Sequence, residues 1–200
     1  MDTFEAIKQR RSLKHYDPSH QISEQEIKQL LELTLLSPTS FNMQNWRFLL
    51  VKNPEIRQKI RSAAFNQAQV TDASILVVVC ADLKAWSKDP ARYWKNTPAE
   101  VQKMIVPMIK PFYEGNDEIQ RDEAMRSCGI AAQTLMLSAK AMGYDTCPMI
   151  GFDPTAVAEI INLPEDHVIG LMISVGKASK PAWDRSGKLD FDEVVFYDQF

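Results

Sequence analysis

Apolar positions recur at Ile27, Leu30, Leu31, Thr34 and Leu35, the i, i+3, i+4, i+7, i+8 stripe of a helix that buries one face. Ser23 and Glu26 precede it as a capping box, and Ser37-Pro38 predicts its end, because a residue before proline is pushed out of the helical region. A shorter helix starts at Asp2-Thr3, carries Phe4 and Ile7 on one face, and has Glu5 as the capping-box partner of Asp2. Residues 46–51 read as a strand, and Asn53-Pro54 opens a helix through Ile56 and Ile60. Residues 75–80 are β-branched and apolar at consecutive positions, which predicts a central strand covered on both faces. The pattern over 84–122 is weak. Within it, Thr97-Pro98-Ala99-Glu100 predicts a helix with Pro98 at its first position, kinked or ended by Pro107 or Pro111.

From 117 to 142 only Gly129 interrupts a helical pattern, and residues 130–139 are apolar nearly all round, as in a helix buried in the core or in a subunit interface. Gly143 is its expected C-terminal cap. A strand over 144–150, a helix from Asp153-Pro154 through Val157, Ile160 and Ile161, and a strand over 168–175 follow. After Gly176 the composition changes to Lys177, Lys180, Arg185 and Lys188, then Val194-Val195-Phe196-Tyr197, an extended arm that must pack on something to be ordered. Helices first, then strands separated by helices, predict an α+β sandwich: one domain over 1–176, with 177–200 as its arm.

Composition narrows the function. Two hundred residues, 45% apolar and 24% charged, suit a single globular unit, and 23 basic against 26 acidic residues leave a net charge of −3, no field for a polyanion. Nucleic acid is therefore not expected as a partner. No apolar run approaches the roughly 20 residues of a membrane helix, and Met-Asp-Thr-Phe-Glu lacks the basic and apolar regions of a secretory signal. Cys80, Cys128 and Cys147 are odd in number and widely spaced, which predicts a reducing, cytoplasmic setting without disulfides. His15, His20 and His167 lie in separate segments, so no metal site is expected.

Arg10-Arg11-Ser12-Leu13-Lys14 places three cations and a hydroxyl within five residues, either a solvated surface or a grip for a phosphate. Thr39, Ser40, Asn42 and Gln44 lie beside Phe41 and Trp46. That mix suits the edge of a flat heteroaromatic ring, and it equally suits a turn that bonds its own backbone. Cys147, before Pro148, is a reactive thiol or a small buried hydrophobe, the commoner role. The chain has no G-x-S-x-G, S-x-x-K, P-loop or G-x-G-x-x-G motif. A pocket without catalytic side chains points to chemistry carried by a cofactor.

Five segments together resemble the FMN-dependent nitroreductase family, in order and over nearly the whole chain: 10–17 (RRSLKHYD), 37–46 (SPTSFNMQNW), 65–69 (FNQAQ), 143–152 (GYDTCPMIGF), and Gly176-Lys177 with Lys188-Leu189. The resemblance implies a three-layer α/β/α sandwich with a mixed, mostly antiparallel sheet. It also implies a homodimer with FMN at the interface and C-terminal arms swapped onto the partner. By that resemblance Arg10, Ser12 and Lys14, with Arg11 nearby, hold the phosphate, ribityl chain and pyrimidine edge of FMN. Pro38, Thr39, Ser40 and Asn42, in the loop that ends at Gln44, reach the FMN of the other subunit. Asn66 meets the pyrimidine end, and Pro148, Ile150 and Gly151 line the isoalloxazine, with a backbone N–H toward N5. Lys188 is the tail's phosphate candidate, with Lys177 and Arg185 as alternates. Gln69 stands at the cofactor site where family members often carry lysine, removing a cation that would favour reduced flavin.

The implied activity takes hydride from NADH or NADPH and passes it to a nitroaromatic, quinone or similar acceptor by ping-pong, with Lys14 stabilising charge on the reduced ring. Phe112 and Tyr113 are candidate substrate-lining residues. A dehalogenase, dehydrogenase or flavin-destroying enzyme of the same fold, or a non-enzymatic flavin-binding dimer, are the alternative readings.

Overall fold

The computed structural model describes residues 1–200. Helices α1 (Thr3–Gln9) and α2 (Glu24–Thr34) precede β1 (Trp46–Val51), α3 (Pro54–Ala63), α4 (Gln69–Asp72) and β2 (Ile75–Asp82). Then come α5 (Ala99–Tyr113), α6 (Asp117–Ala141), β3 (Asp145–Met149), α7 (Pro154–Ile160), β4 (His167–Gly176) and α8 (Phe191–Val194). The capping box at Ser23 and Glu26 is complete. At α1 Asp2 caps alone, because the Glu5 carboxylate turns to Lys8 and Gln9 instead. Gly143 (φ +83°) ends α6, and the next N–H, of Tyr144, reaches back 2.9 Å to Ala139 O.

The sheet order is β1-β2-β4-β3, with every ladder antiparallel. The parallel component expected of a mixed sheet is reduced within the chain to one bridge, Ser12 to Thr146. It lies on the outer edge of β3, where Pro148 offers no N–H to extend it into a ladder. Strand β2 is buried at every position. Its odd residues Ile75, Val77, Val79 and Ala81 pack with α2 and α6, and its even residues Leu76, Val78 and Cys80 pack with α3 and α7. This alternation produces the three layers. A bulge between Val79 and Cys80 places Gly170 of β4 under α6, where a Cβ would lie 2.6 Å from Cys128 Cβ.

Helix α5 differs from expectation. Pro98 is its cap rather than its first residue, and the helix runs through Pro107 and Pro111 to Tyr113. An interior proline costs about 3 kcal/mol. Burial of Ile109 and Tyr113 against Met43 and Trp86 offsets it, at about 1.5–3 kcal/mol per large side chain. Helix α6 buries one side in the sheet layer and leaves Gly129, Ile130 and Gln133 exposed. The arm after Gly176 leaves Trp183, Phe191, Phe196 and Phe200 exposed as well. No helix is long and apolar enough to cross a membrane.

Candidate active site

Residues 10–14 lie along the free edge of β3. Leu13 N–H donates to Thr146 O at 2.9 Å, and the Leu13 side chain is buried with Tyr16 and Ala73. Arg10, Arg11, Ser12 and Lys14 line an open cleft of about 280 Å³, whose other wall is residues 183–187. Arg11 donates to the carbonyls of Lys8 and Arg10, and Arg185 donates to those of Ile7, Lys8 and Arg10, so both guanidinium groups sit on the C-terminal end of α1. Cations at a helix C-terminus complement its partial negative charge. None of Arg10, Arg11, Lys14 and Arg185 is in an ion pair. Burial, then the charges of Arg185 and Arg11, lowers the pKa of Arg10. Four cations against the single carboxylate of Asp184 leave the cleft cationic, the electrostatic requirement of a phosphate. Cys147 is buried beneath it. Burial raises the thiol's pKa against the opposing pull of Lys14 and Arg10, so the structure favours the small hydrophobe over the reactive thiol.

At the end of β3, Ile150 is 82% exposed beside Gly151. The 65–69 segment meets this turn: Gln67 Nε2 donates to Gly151 O at 2.8 Å, and Gln69 Nε2 donates to Gln67 Oε1 at 2.9 Å. Gln69 itself is buried rather than presented at the surface, whereas Asn66 is exposed. Phe65 and Asn66 (φ 54° and 56°) are left-handed, as are Phe41, Asn42 and Gln44 in the other polar loop. Such conformations cost about 1–3 kcal/mol each and concentrate where a ligand surface is shaped.

The 38–44 loop is anchored elsewhere. Gln44 N–H donates to Thr39 Oγ1 and Gln44 Nε2 to Asn42, so the loop does in part bond itself. The rest goes to the 84–123 region: Asn42 to Tyr93 O, Trp94 Nε1 to Phe41 O, Ser40 N–H to Glu123, and Ser40 Oγ with Tyr113 OH at 2.9 Å. None of these bonds reaches residues 10–14, and Pro38 is exposed. The paired expectation for Phe112 and Tyr113 divides. Phe112 is 50% exposed and stands edge-on to Phe41 at 5.6 Å, whereas Tyr113 is 1% exposed, a core residue that holds the loop rather than a pocket wall.

Of the tail cations, Arg185 joins the cleft. Lys177 donates to Gly143 O and lies 4.3 Å from the Tyr144 ring, and Lys188 is exposed farther along the arm. Sequence reading missed Trp183, a wall of the cleft, since nothing in the tail's composition marks which face it turns. It also missed the meeting of Asp82, Asp166 and His167, which come from two strand ends. Lys88 fills that cluster, 2.9 Å from Asp82 and 2.5 Å from Asp166, so a salt-bridge network stands there.

Residues 7–177 match the model of the nitroreductase family. The DrgA protein of Synechocystis sp. is 56% identical, over 91% of this chain and 87% of its own. The oxygen-insensitive NADPH nitroreductase of Helicobacter pylori is 30% identical over 95% and 94%. A crystal structure described as a nitroreductase in complex with FMN, from Exiguobacterium sibiricum, superposes with a TM-score of 0.90 at 34% identity, over 98% of this chain and 97% of that one.

Proposed function

The chain belongs to the nitroreductase family and is by that membership an FMN-dependent NAD(P)H oxidoreductase, and we propose that it reduces nitroaromatic, quinone or similar electron-poor acceptors by ping-pong, as a homodimer with FMN at the interface. The observation that carries the site is the cleft of four unpaired cations against the free edge of β3. FMN, when bound, would supply the hydride-transfer chemistry between NAD(P)H and the acceptor.

The chain's own residues do the rest. Arg10 and Arg185 neutralise the phosphate, with the Ser12 hydroxyl as a short donor. Lys14, at the Cys147 end of the cleft, would stabilise the negative charge that grows on the ring on reduction. Ile150, Gly151 and Asn66 border the ring. The 38–44 loop is fastened to α5 and α6 and makes no bond to 10–14, so it fits the role of closing the site of a second copy. The faces available for that pairing are the exposed side of α6 and the apolar arm. Phe112 presents a ring to the acceptor.

The test is direct. Purified protein should carry about one FMN per chain, be bleached by NADH or NADPH without oxygen, and recover its colour on adding a nitroaromatic or quinone. Initial-rate plots at several acceptor concentrations should be parallel. Bound FAD, or no flavin uptake, overturns the cofactor assignment, and intersecting lines with a ternary complex overturn the shared face.

A further inference from the structure

The turn after β3 leaves two adjacent backbone donors without acceptors. Phe152 N–H closes the turn on Ile150 O at 3.0 Å and Asp153 N–H reaches Ala63 O at 2.9 Å, but the N–H groups of Ile150 and Gly151 donate to nothing in the chain. Between them and the fold's interior stands a relay of amides. The Gly151 carbonyl accepts only from Gln67 Nε2, at 2.8 Å, and Gln67 Oε1 accepts from Gln69 Nε2 at 2.9 Å. Gln69 is 4% exposed on α4, so its rotamer is set by packing, and it in turn sets that of the partly exposed Gln67. A Cβ on Gly151 would already lie 3.4 Å from the Gln67 amide, so the relay and the turn are in contact.

A peptide carbonyl that is held fixes its own peptide plane, here that of Gly151 and Phe152, and the Phe152 N–H bond to Ile150 O passes the constraint to the next plane, which carries the free Gly151 N–H. We propose that Gln69, acting through Gln67, is a positioning residue that locks the Ile150–Gly151 turn so that its two free N–H groups point as a pair at acceptor atoms of the flavin ring. The inference rests on the FMN reading above. It gives Gln69 a role that its position in the sequence hides. Its amide does not replace a missing charge at the ring; it keeps a main-chain hydrogen-bonding site preorganised, and preorganised donors are worth more at a ring gaining electrons than ones that must reorganise. The donor order matters: a residue at 69 must donate to Gln67 Oε1 for the Gln67 amine to face Gly151.

This makes the substitutions at 69 separable by donor rather than by charge. Gln69→Leu and Gln67→Met remove one link each at similar volume, while Gln69→Lys keeps a donor and adds a charge. The readouts are FMN Kd by fluorescence quenching, the visible spectrum and midpoint potential of the bound flavin, and melting of the flavin-free protein. Gln69→Leu and Gln67→Met should each raise Kd about 10-fold and shift spectrum and potential alike, the size of one lost hydrogen bond on a charged or charging partner. Gln69→Lys should keep Kd within about twofold of wild type, whatever its potential. The double variant should be no worse than either single one, since the links act in series. Flavin properties unchanged in Gln69→Leu, or changed only in proportion to a drop in melting temperature, overturn the relay. Gln69→Lys behaving as Gln69→Leu does also overturns it. Wild-type protein that takes up no FMN overturns the flavin reading first, and is told apart by failing before any variant is compared.

Discussion

Arg10 carries its charge beside Arg11 and Arg185, and burial and those charges lower its pKa, so an anion bound in the proposed site would relieve the repulsion. Replacing Arg10 with Ala should weaken FMN binding by about 1.5–3 kcal/mol, the range for hydrogen bonds to charged groups, read by fluorescence titration at fixed salt. An unchanged affinity removes Arg10 from the site. A second residue-scale effect concerns acid stability. Glu26 accepts from Ser23 Oγ at 2.6 Å, from Tyr144 OH at 2.7 Å and from the Ser23 N–H, and those bonds hold its pKa down at about 2. A carboxylate depressed on folding stabilises the fold above its unfolded pKa and loses that contribution as pH falls toward the folded value. Urea midpoints of wild type and Glu26→Gln should therefore differ most above about pH 4.5 and converge toward pH 2. Curves that stay parallel across that range would remove Glu26 from the acid transition.

Among the elements, β4 and α6 are fitted to each other at one point, Gly170. A methyl there meets Cys128 Cβ at 2.6 Å and Sγ at 2.9 Å, both on a helix that cannot retreat without opening the core between Ala124 and Ala139. Gly170→Ala should cost about 1–3 kcal/mol in urea unfolding, the range for overpacking, whereas Gly129→Ala, with nothing within 4 Å, should be neutral or stabilising in the monomer. Equal effects at the two glycines would mean that α6 shifts freely on the sheet. The elements themselves were legible wherever a period was strong. The all-apolar run became the central β2, the Ser23 box became the start of α2, and Gly143 became the end of α6. The outcome least legible was α5, where two prolines predicted a kink or a stop and the helix does not stop. The helix persists through the burial of Ile109 and Tyr113, a contact made with Trp86 and Met43, about 20 to 70 positions away.

For the whole molecule, the exposed apolar surface is the outstanding feature: Phe4, Leu36, Ile130, and an arm carrying Trp183, Phe191, Phe196 and Phe200. A chain with that surface lowers its free energy by burying it, and the proposed dimer would do so over about 2,000–5,000 Å², the class of obligate assemblies. Deleting residues after Gly176 should then cost both the dimer and the flavin, because the arm supplies Arg185 to the cleft as well as apolar surface. Light scattering that finds an FMN-loaded, stable monomer of the truncated chain would refute the shared site.

What the residues determined alone is the local code: caps, periods, the covered central strand, and the existence of two polar segments whose role the local pattern left open. Each depends on neighbours within a few positions, so order along the chain carries it. The assembly of the site could not be read that way. Arg10 and Arg185 meet because β3 lends its edge to residues 10–14 and the arm folds back over α1. Gln69 turns inward because α4 packs between α3 and β2, which converts a surface-looking polar residue into a support for Gly151. Tyr113 becomes core rather than pocket because its helix survives its prolines. Long-range packing decides which side of an element faces water, and only the tertiary structure holds that choice.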